Sequence, residues 1–463
     1  MPEVEKYENL VLGSGAAGKL LTWTLAGAGH RTAVVERGPL GGACPNVACL
    51  PSKNIIQSAR VASLAKRGAE FGLNFNSLSI DMESVQRRKR LMVEGLQEFH
   101  LNQTMASGAE LFRGEARFVG PRTVEVDLRD GGKKTISGDR VFVDVGTHAA
   151  IPAIPGLTEA KPMTHVEALD LARLPEHLIV LGGGYVGLEL SQAFRRFGSR
   201  VTVIERGSQI ASREDPDIGN ALKDLFVDEG IEVLLGTSVG QVEGNSGRRI
   251  RVHIEDAQSR RVIDGTDILV ATGRTPNTEG LGLDKSGVQL DERGYVKVNE
   301  YLLTTSENVW AMGECAGSPQ YTHVSVDDFQ IVLAHLNGGN RTKARRLIPF
   351  CMFTDPELAR VGKNESEARR DGVEYRLAKM PMAEILRTRT VSEPRGLLKV
   401  LVAKNSDEIL GFTAFGIEAS ELMVAMQTAM LGHLPYTVLR DAILAHPTIS
   451  EGLSLLLARV PSR

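Results

Sequence analysis

A repeated glycine pattern restricts the fold of this chain more than any other feature of its sequence. The N-terminal region and the middle of the chain each contain an apolar run, a G-x-G-x-x-G motif, a helical stretch, a glycine turn, a β-branched run and a glutamate. In both copies the glutamate lies 23 positions after the first glycine, from Gly13 to Glu36 and from Gly182 to Glu205. One such motif alone could serve only a tight turn. Two copies with equal spacing predict two βαβ units, each with a pyrophosphate at a helix N-terminus and a glutamate on the ribose.

Further strand-and-glycine turns divide the rest of the chain. The segments "RVFVDVGTHAAIPAIPG" (140–156) and "DILVATGRTPN" (267–277) are expected to close the first and the second unit, and "TTSENVWAMGECAG" (304–317) adds another strand. After about residue 346 the sequence contains strand-like and helical stretches but no glycine phosphate loop. Because 463 residues are too many for a single core, we expect an α/β protein with two nucleotide-binding domains and a third, α+β domain.

The overall composition is that of an ordinary globular protein. The chain has 54 Lys and Arg residues against 57 Asp and Glu residues, so its formal net charge is only -3. This balance does not predict a nucleic-acid surface. No run reaches the roughly 18 apolar residues of a membrane span, and no basic and apolar leader precedes the first strand. We therefore expect a soluble cytoplasmic protein without nucleic-acid or membrane partners.

Two closely spaced cysteines stand in the segment "GGACPNVACLPSKN" (41–54). Cys44 and Cys49 could form a metal clip, a structural disulfide or a redox-active dithiol. A structural zinc site needs four ligands and no second Cys/His pair has suitable spacing, so no metal site is expected. A reactive thiolate requires a helix N-terminus or a nearby cation. Pro45 and Asn46 are typical of helix starts, and Lys53 supplies a cation.

These motifs together resemble one family over essentially the whole chain. The two glycine units, "GGACPNVACLPSK", "ATGRTPN", "NVWAMGECAG" and "HPTISE" are similar to those of the FAD-dependent pyridine nucleotide–disulfide oxidoreductases, and most similar to their mercuric-reductase-like and reactive-chlorine-resistance members. The resemblance implies a glutathione-reductase-like arrangement. It consists of an FAD-binding domain (1–149 and 275–346), a nested NAD(P)-binding domain (150–274) and a dimerisation domain (347–463).

The resemblance also implies two cofactors. The residues expected to bind FAD are Gly13, Gly15, Gly18, Glu36, Gly42, Ala43, Lys53, Ala116, Gly146, Glu314 and His323. The residues expected to bind NAD(P) are Gly182, Gly184, Tyr185, Gly187, Glu205 and Gly273, with Tyr185 as a lid over the nicotinamide. Glu205 favours NADH because a carboxylate repels a 2′-phosphate, although the neighbouring Arg206 keeps NADPH open as an alternative.

The catalytic roles follow from the same resemblance. Cys49 would be the thiol against the flavin and Cys44 the thiol that attacks the substrate, with electrons passing from NAD(P)H through FAD to their disulfide. Lys53 would pair with Glu189 near the flavin. A histidine before a proline is often only a capping or surface residue, but the family match makes His446 and Glu451 an acid/base dyad that each subunit of a homodimer contributes to its partner.

Three positions depart from the family pattern. Glu314 replaces the usual aspartate of the flavin site, Ala48 replaces the usual glycine before the second cysteine, and "DVG" (144–146) replaces the usual "ATG". The chain also has no cysteine after Cys351 and retains His446, and both facts weaken a dedicated mercury enzyme.

The leading hypothesis is therefore an NAD(P)H-dependent flavoprotein that reduces a small thiol-reactive oxidant, a disulfide or a soft metal ion. The enzymatic alternative is a dihydrolipoyl dehydrogenase, which would run the same chemistry backwards to oxidise a dithiol. An alternative of another class is a redox sensor that binds FAD and NADH without turnover.

Overall fold

The computed structural model describes residues 4–74 and 77–463, so residues 1–3, 75 and 76 of the expected FAD-binding domain lie outside the described residues. The chain divides into two compact units. The first unit contains the chain up to Asn54, together with Ser84–Ala150 and Gly273–Arg346. The second unit contains Ile55–Glu83, Ile151–Thr272 and Leu347–Arg463.

The strands alternate with helices in the order that the glycine repeat predicts. In chain order they are β1 (Glu5–Leu12), β2 (Thr32–Glu36), β3 (Glu110–Gly120), β4 (Thr123–Leu128), β5 (Lys133–Val143), β6 (Thr147–Ala149), β7 (His177–Leu181), β8 (Arg200–Ile204), β9 (Glu232–Leu234), β10 (Ser238–Asn245), β11 (Arg249–Glu255), β12 (Arg260–Gly265), β13 (Asp267–Val270), β14 (Arg274–Pro276), β15 (Val309–Ala311), β16 (Phe350–Met352), β17 (Glu357–Gly362), β18 (Tyr375–Pro381), β19 (Leu397–Ala403) and β20 (Ile409–Gly416).

The helices range from single turns to one of 25 residues. They are α1 (Ala16–Gly27), α2 (Ala43–Asn46), α3 (Cys49–Lys66), α4 (Met82–Ala106), α5 (His165–Leu169), α6 (Tyr185–Phe197), α7 (Pro216–Asp228), α8 (Leu283–Ser286), α9 (Thr322–Leu336), α10 (Glu365–Arg370), α11 (Leu386–Thr390), α12 (Ala419–Leu431), α13 (Tyr436–Arg440) and α14 (Gly452–Leu457). No helix among the described residues is long and apolar enough to cross a membrane.

The first unit is built on a sheet in which β3, β2, β1, β5 and β15 run parallel. The antiparallel strand β4 joins the outer halves of β3 and β5. Successive side chains of β1 serve opposite faces, since Leu10 and Leu12 enter one apolar cluster and Val11 enters another. Leu21 and Leu25 of α1 cover the Val11 face, because residues four apart share one side of a helix. The sheet is therefore covered on both faces, as parallel sheets require.

The second unit contains a four-stranded parallel sheet in the order β13, β7, β8 and β9, and an antiparallel sheet of β10, β11 and β12. Its sequence β7–α6–β8 repeats β1–α1–β2 of the first unit. The expected closing strands are confirmed, because β5 pairs in parallel with β1 and β13 pairs in parallel with β7. The two copies of the glycine pattern therefore form two corresponding βαβ folds.

The second unit also contains an antiparallel sheet in the order β16, β17, β20, β19 and β18, with α12 packed against it. Lys399 of β19 is completely buried, and its ammonium lies 2.7 Å from Asp215, 2.8 Å from Asp217 and 2.7 Å from Glu365. Burial alone would raise the pKa of Asp215, but hydrogen bonds from Lys399 and Ser366 lower it to about 2. This cage joins β19 to the start of α7 and to α10.

Candidate active site

The first glycine loop is shaped by contacts that leave no room for a side chain. A Cβ on Gly13 would lie 2.4 Å from the carbonyl oxygen of Asp144, and Gly13 has a φ of 95°. A Cβ on Gly18 would lie 2.3 Å from the carbonyl oxygen of Gly13. Both distances are far below van der Waals contact, so glycine is required at these positions.

The second glycine loop repeats this geometry. A Cβ on Gly182 would lie 2.6 Å from the carbonyl oxygen of Ala271, and one on Gly187 would lie 2.3 Å from the carbonyl oxygen of Gly182. A Cβ on Gly184, in contrast, would meet no heavy atom within 4 Å. The outer face of this loop is therefore open for a phosphate group at the start of α6.

The two glutamates also hold equivalent positions. Glu36 accepts hydrogen bonds from the backbone N–H groups of Ser14 at 2.8 Å and Gly38 at 2.7 Å. Glu205 accepts from the backbone N–H groups of Gly183 and Gly207, each at 2.7 Å. Each carboxylate is thus fixed beside its glycine loop at the end of β2 or β8, where an adenosine ribose lies in such folds.

A cavity of ≈ 380 Å³ opens beside the first loop, within the size range of cofactor pockets. Most residues expected to bind FAD line it, namely Gly13, Gly15, Glu36, Gly42, Ala43, Ala116, Gly146 and Glu314. The lining does not include Gly18, Lys53 or His323. Gly18 is buried beneath the loop, and His323 is exposed with its ring stacked 5.3 Å from that of Tyr321. The glycine-lined wall and the fixed glutamate fit the ADP half of FAD.

Several residues of this cavity were not predicted from the sequence. They are Asp144, Thr147, Arg274, Tyr321 and Thr322. Glu314 accepts hydrogen bonds from the Thr147 hydroxyl and from Arg274, whose Nε lies 3.0 Å away. The carboxylate that replaces the usual aspartate is therefore held by two partners.

Asp144 is the buried residue of the "DVG" departure. Its Oδ2 accepts a hydrogen bond from the backbone N–H of Gly18 at 2.7 Å. Burial raises the pKa of this carboxyl well above its usual range, and the neighbouring Asp328, Glu36 and Glu314 raise it further. The Asp144 carboxyl therefore holds its proton to a higher pH than an exposed aspartate does. The corresponding residue of the second copy is Ala271, at the end of β13.

Cys44 and Cys49 are both half-buried thiols, and Cys44 lines the cavity. A hydrogen bond to the Cys49 thiol, followed by burial, raises the pKa of Cys44. Cys49 is the first residue of α3, and its Sγ lies 3.4 Å from the hydroxyl oxygen of Thr322 at the start of α9. The Cys44 thiol at the cavity wall thus contacts the Cys49 thiol, which in turn lies beside the Thr322 hydroxyl.

Pro45 and Asn46, which are typical of helix starts, are the last two residues of the single-turn helix α2. The side-chain amide of Asn46 donates to the carbonyl oxygens of Leu40 at 2.9 Å and Gly42 at 2.8 Å, so it closes its own turn. Helix α3 instead begins after Ala48, whose carbonyl accepts from Ser52 at 2.9 Å.

The second unit holds the residues expected near the nicotinamide. The Tyr185 hydroxyl donates to Glu214 at 2.7 Å, and its ring centroid lies 6.0 Å from that of Phe350. Burial raises the pKa of Glu214, while Arg360, whose Nε lies 3.1 Å away, opposes this shift. The buried Glu189 accepts from the backbone N–H of Phe353 at 2.8 Å. Glu214 and Arg360 were not predicted, since they lie far from Tyr185 in the sequence.

The predicted acid/base dyad is assembled in the second unit. His446 Nδ1 lies 2.8 Å from Glu451 Oε2, and the histidine side chain is 64% exposed against 17% for the glutamate. The pairing of Lys53 with Glu189 and the approach of His446 to a partner's cysteines stay predictions. Gly273, which was expected with the second glycine loop, belongs to the first unit.

Comparison with known protein families agrees with this geometry. Residues 7–328 match the model described as pyridine nucleotide-disulphide oxidoreductase, and residues 348–456 match the model of its dimerisation domain. The chain belongs to the pyridine nucleotide-disulphide oxidoreductase family. The expected fold class, with FAD and NAD(P) domains followed by a dimerisation domain, is thereby confirmed, and the chain is an FAD-dependent oxidoreductase that uses a pyridine nucleotide.

Similar members of the family include bacterial reductases. The chain is 34% identical over 464 residues to the probable pyridine nucleotide-disulfide oxidoreductase RclA of Escherichia coli, covering 99% of this chain and 100% of that protein. It is 30% identical to a mercuric reductase of Bacillus cereus, covering 97% of this chain and 70% of that protein.

Solved structures extend the comparison. The Cu(II) complex of the HOCl-induced flavoprotein disulfide reductase RclA from Escherichia coli matches with a TM-score of 0.90 and 31% identity, covering 98% of this chain and 99% of that one. LpdA from Mycobacterium tuberculosis matches with a TM-score of 0.87 and 24% identity, covering 98% of this chain and 99% of that one. The second likeness shows the fold alone.

Proposed function

We propose that this chain is an NAD(P)H-dependent flavoprotein reductase whose Cys44–Cys49 pair delivers electrons to a disulfide, a thiol-reactive oxidant or a soft metal ion. The observation that carries the proposal is the contact of a second thiol, Cys49, with Cys44, which lines the same cavity as the dinucleotide-binding loop. The names of the relatives support the same range of electron acceptors, because they include a disulfide reductase found with Cu(II) and mercuric reductases.

The cavity residues would hold FAD in the first unit. Glu36 would accept from the adenosine ribose, and the N-terminus of α1 would face the pyrophosphate. When bound, FAD supplies two-electron exchange between a nicotinamide nucleotide and a dithiol. The proposed domains are the FAD-binding domain (1–149 and 275–346), the NAD(P)-binding domain (150–274) and the dimerisation domain (347–463).

The thiol chemistry needs only this chain's own residues. With a disulfide substrate, the Cys44 thiolate attacks one sulfur, forms a mixed disulfide and releases one substrate thiolate. The Cys49 thiolate then attacks the sulfur of Cys44, closes the Cys44–Cys49 disulfide and releases the second thiolate. The position of Cys49 at the N-terminus of α3 favours its thiolate, because the unpaired backbone N–H groups there carry partial positive charge.

We further propose that His446 moves the protons of this exchange in a homodimer. The exposed imidazole would protonate the departing thiolate, and Glu451, at 2.8 Å from Nδ1, would hold the ring with Nε2 directed outward. The presence of a dimerisation domain at 348–456 supports a homodimer as the active form.

NADH is the proposed electron donor in preference to NADPH. Glu205 is fixed beside the second glycine loop, so a 2′-phosphate placed there would meet a negative charge. A ratio of kcat/KM for NADH over NADPH above one is the expected result. A higher kcat/KM for NADPH than for NADH would indicate instead that the neighbouring Arg206 determines the choice of nucleotide.

Steady-state assays with matched acceptors test the proposal. The holoenzyme should oxidise NADH with hypothiocyanite, Cu(II) or Hg(II), and Cys44→Ser should abolish this activity while Cys351→Ser, outside the cavity, should retain it. Rapid reduction of NAD by dihydrolipoamide, without turnover of these oxidants, would instead indicate a dihydrolipoyl dehydrogenase. An enzyme that binds FAD and NADH without any turnover would indicate a redox sensor.

A further inference from the structure

Lys19 and His100 of the first unit lie close to the loop that carries Cys44. Lys19 Nζ of α1 lies 2.8 Å from His100 Nε2 of α4. One turn further along both helices, Trp23 Nε1 donates to Thr104 Oγ1 at 3.0 Å. Because residues four apart share a helix face, these two contacts join one face of α1 to one face of α4.

The histidine is held rigidly in this contact. His100 is buried, and the ring of Trp23 stacks on it with centroids 5.9 Å apart and planes inclined by 23°. Burial and the charge of Lys19 lower the pKa of His100. The imidazole is therefore neutral at neutral pH, and its Nε2 accepts a hydrogen bond from the Lys19 ammonium.

The loop that carries Cys44 is confined between the same elements. A Cβ on Gly41 would lie 2.7 Å from His100 Nδ1, and a Cβ on Gly42 would lie 2.7 Å from the Cα of Gly15 at the start of α1. Lys19 follows one turn after Gly15, since its backbone N–H donates to the Gly15 carbonyl at 3.0 Å. The loop therefore passes close to Lys19.

The charge of Lys19 is available to this loop. Among the described residues, no carboxylate forms an ion pair with Lys19, and its hydrogen-bond partner is the uncharged His100. Burial lowers the pKa of Lys19, whereas the negative charges that Cys44 and Asp144 carry when ionised oppose this shift. In return, the charge of Lys19 acts on Cys44 against the effects of Cys49 and of burial.

We propose that Lys19, oriented by His100, is the cation that stabilises the Cys44 thiolate in the reduced enzyme. This assigns a positioning role to His100 and an electrostatic role to Lys19, and it adds a cation to the one expected at Lys53. The inference rests on the proposed role of Cys44 as the attacking thiol. The polar groups that face Cys44 from the surrounding elements are Cys49 of α3, Lys19 of α1 and Thr322 of α9, with His100 of α4 and Asp144 after β5 beyond Lys19.

The test is the pH profile of Cys44 alkylation by iodoacetamide in the chemically reduced holoenzyme, followed by mass spectrometry in a Cys49→Ser background. Lys19→Met should raise the pKa of Cys44 by about one unit and slow its alkylation at neutral pH about tenfold, since one cation is removed. Lys19→Arg should restore the parent profile. Lys343→Met, which removes another half-buried lysine of the first unit, should leave the profile unchanged.

An unchanged profile in Lys19→Met with full FAD content would overturn the proposal. Should that variant fail to fold, His100→Gln and His100→Leu carry the test, because only glutamine keeps an acceptor for Lys19. A raised pKa of Cys44 in the leucine variant alone supports the proposal, and equal profiles contradict it. Because chemical reduction replaces NADH, an enzyme that reduces no tested oxidant would refute the proposed function without affecting this measurement.

Discussion

Replacing Asp144 by asparagine should remove a loss of folding stability that the wild-type protein shows as pH rises. The carboxyl is buried beneath the glycine loop, where Oδ2 accepts from the Gly18 N–H at 2.7 Å. Asparagine has the same size and keeps an acceptor for this bond. Burial raises the pKa of Asp144 in the folded chain, so the folded state binds this proton more tightly than the unfolded state. Its contribution to stability is therefore complete below the unfolded pKa of about 3.9 and is lost as pH rises through the folded pKa.

The size of this effect follows from the linkage relation. Between the unfolded and the folded pKa, the wild type should lose up to about 1.4 kcal/mol for each pH unit relative to Asp144→Asn. The difference should be small near pH 4 and should grow toward neutral pH. The positive charge of Lys19 should make this difference in stability smaller, because Asp144 lies close enough to Lys19 to influence the pKa of the lysine.

Urea unfolding followed by flavin fluorescence measures the effect across pH. The midpoint of the wild type should fall relative to that of Asp144→Asn as pH rises above the unfolded pKa of about 3.9, because the folded state holds this proton to a higher pH than the unfolded state does. Asp139→Asn, at an exposed carboxyl of the same unit, is the control and should follow the wild type. Parallel pH dependences for wild type and Asp144→Asn would refute a raised pKa of Asp144 in the folded state.

Three further predictions concern the second unit. Lys399→Met should lower stability by about 3–5 kcal/mol in thermal unfolding, because it leaves the buried Asp215 without its cation and leaves Glu365 only the more exposed Lys379, and an unchanged midpoint would contradict the cage. Tyr185→Phe should lower the Kd of NADH about fivefold in calorimetric titration, because about 1 kcal/mol of hydrogen bonding to Glu214 no longer holds the ring over its site. A weaker affinity would contradict a lid. Gly187→Ala should lose NADH binding but retain FAD, since its Cβ would lie 2.3 Å from a backbone oxygen, whereas Gly184→Ala should fold normally. Equal NADH binding in Gly187→Ala and the wild type would contradict the tight loop.

The elements that depend on local patterns were predictable from the sequence. Gly13 and Gly182 begin repeats whose spacing reflects the length of one βαβ unit, and the observed loops have matching contacts. The proximity of Cys44 and Cys49 follows from five positions of separation. The separate turn α2, which contains Asn46, was not predictable because the Asn46 amide bonds to a carbonyl group of the preceding loop, a contact that the residue type alone does not determine.

The features that depend on distant contacts were not predictable. Lys19 and His100 are 81 positions apart and meet only because α1 and α4 pack together. Asp144 was recognisable as a departure from the family pattern, but its burial depends on how closely Gly18 approaches it. The same holds for Tyr185 and Glu214, whose contact depends on the loop that precedes α7.

The proposed function requires that Cys44 and Cys49 form a redox-active dithiol next to bound FAD. Anaerobic titration of the holoenzyme with NADH tests this requirement. The predicted result is a long-wavelength charge-transfer absorption between the Cys49 thiolate and the flavin, together with two new thiols per chain, and the absence of that absorption in Cys49→Ser. If the flavin of the wild type is bleached without this absorption and without new thiols, Cys44 and Cys49 do not form a redox-active dithiol.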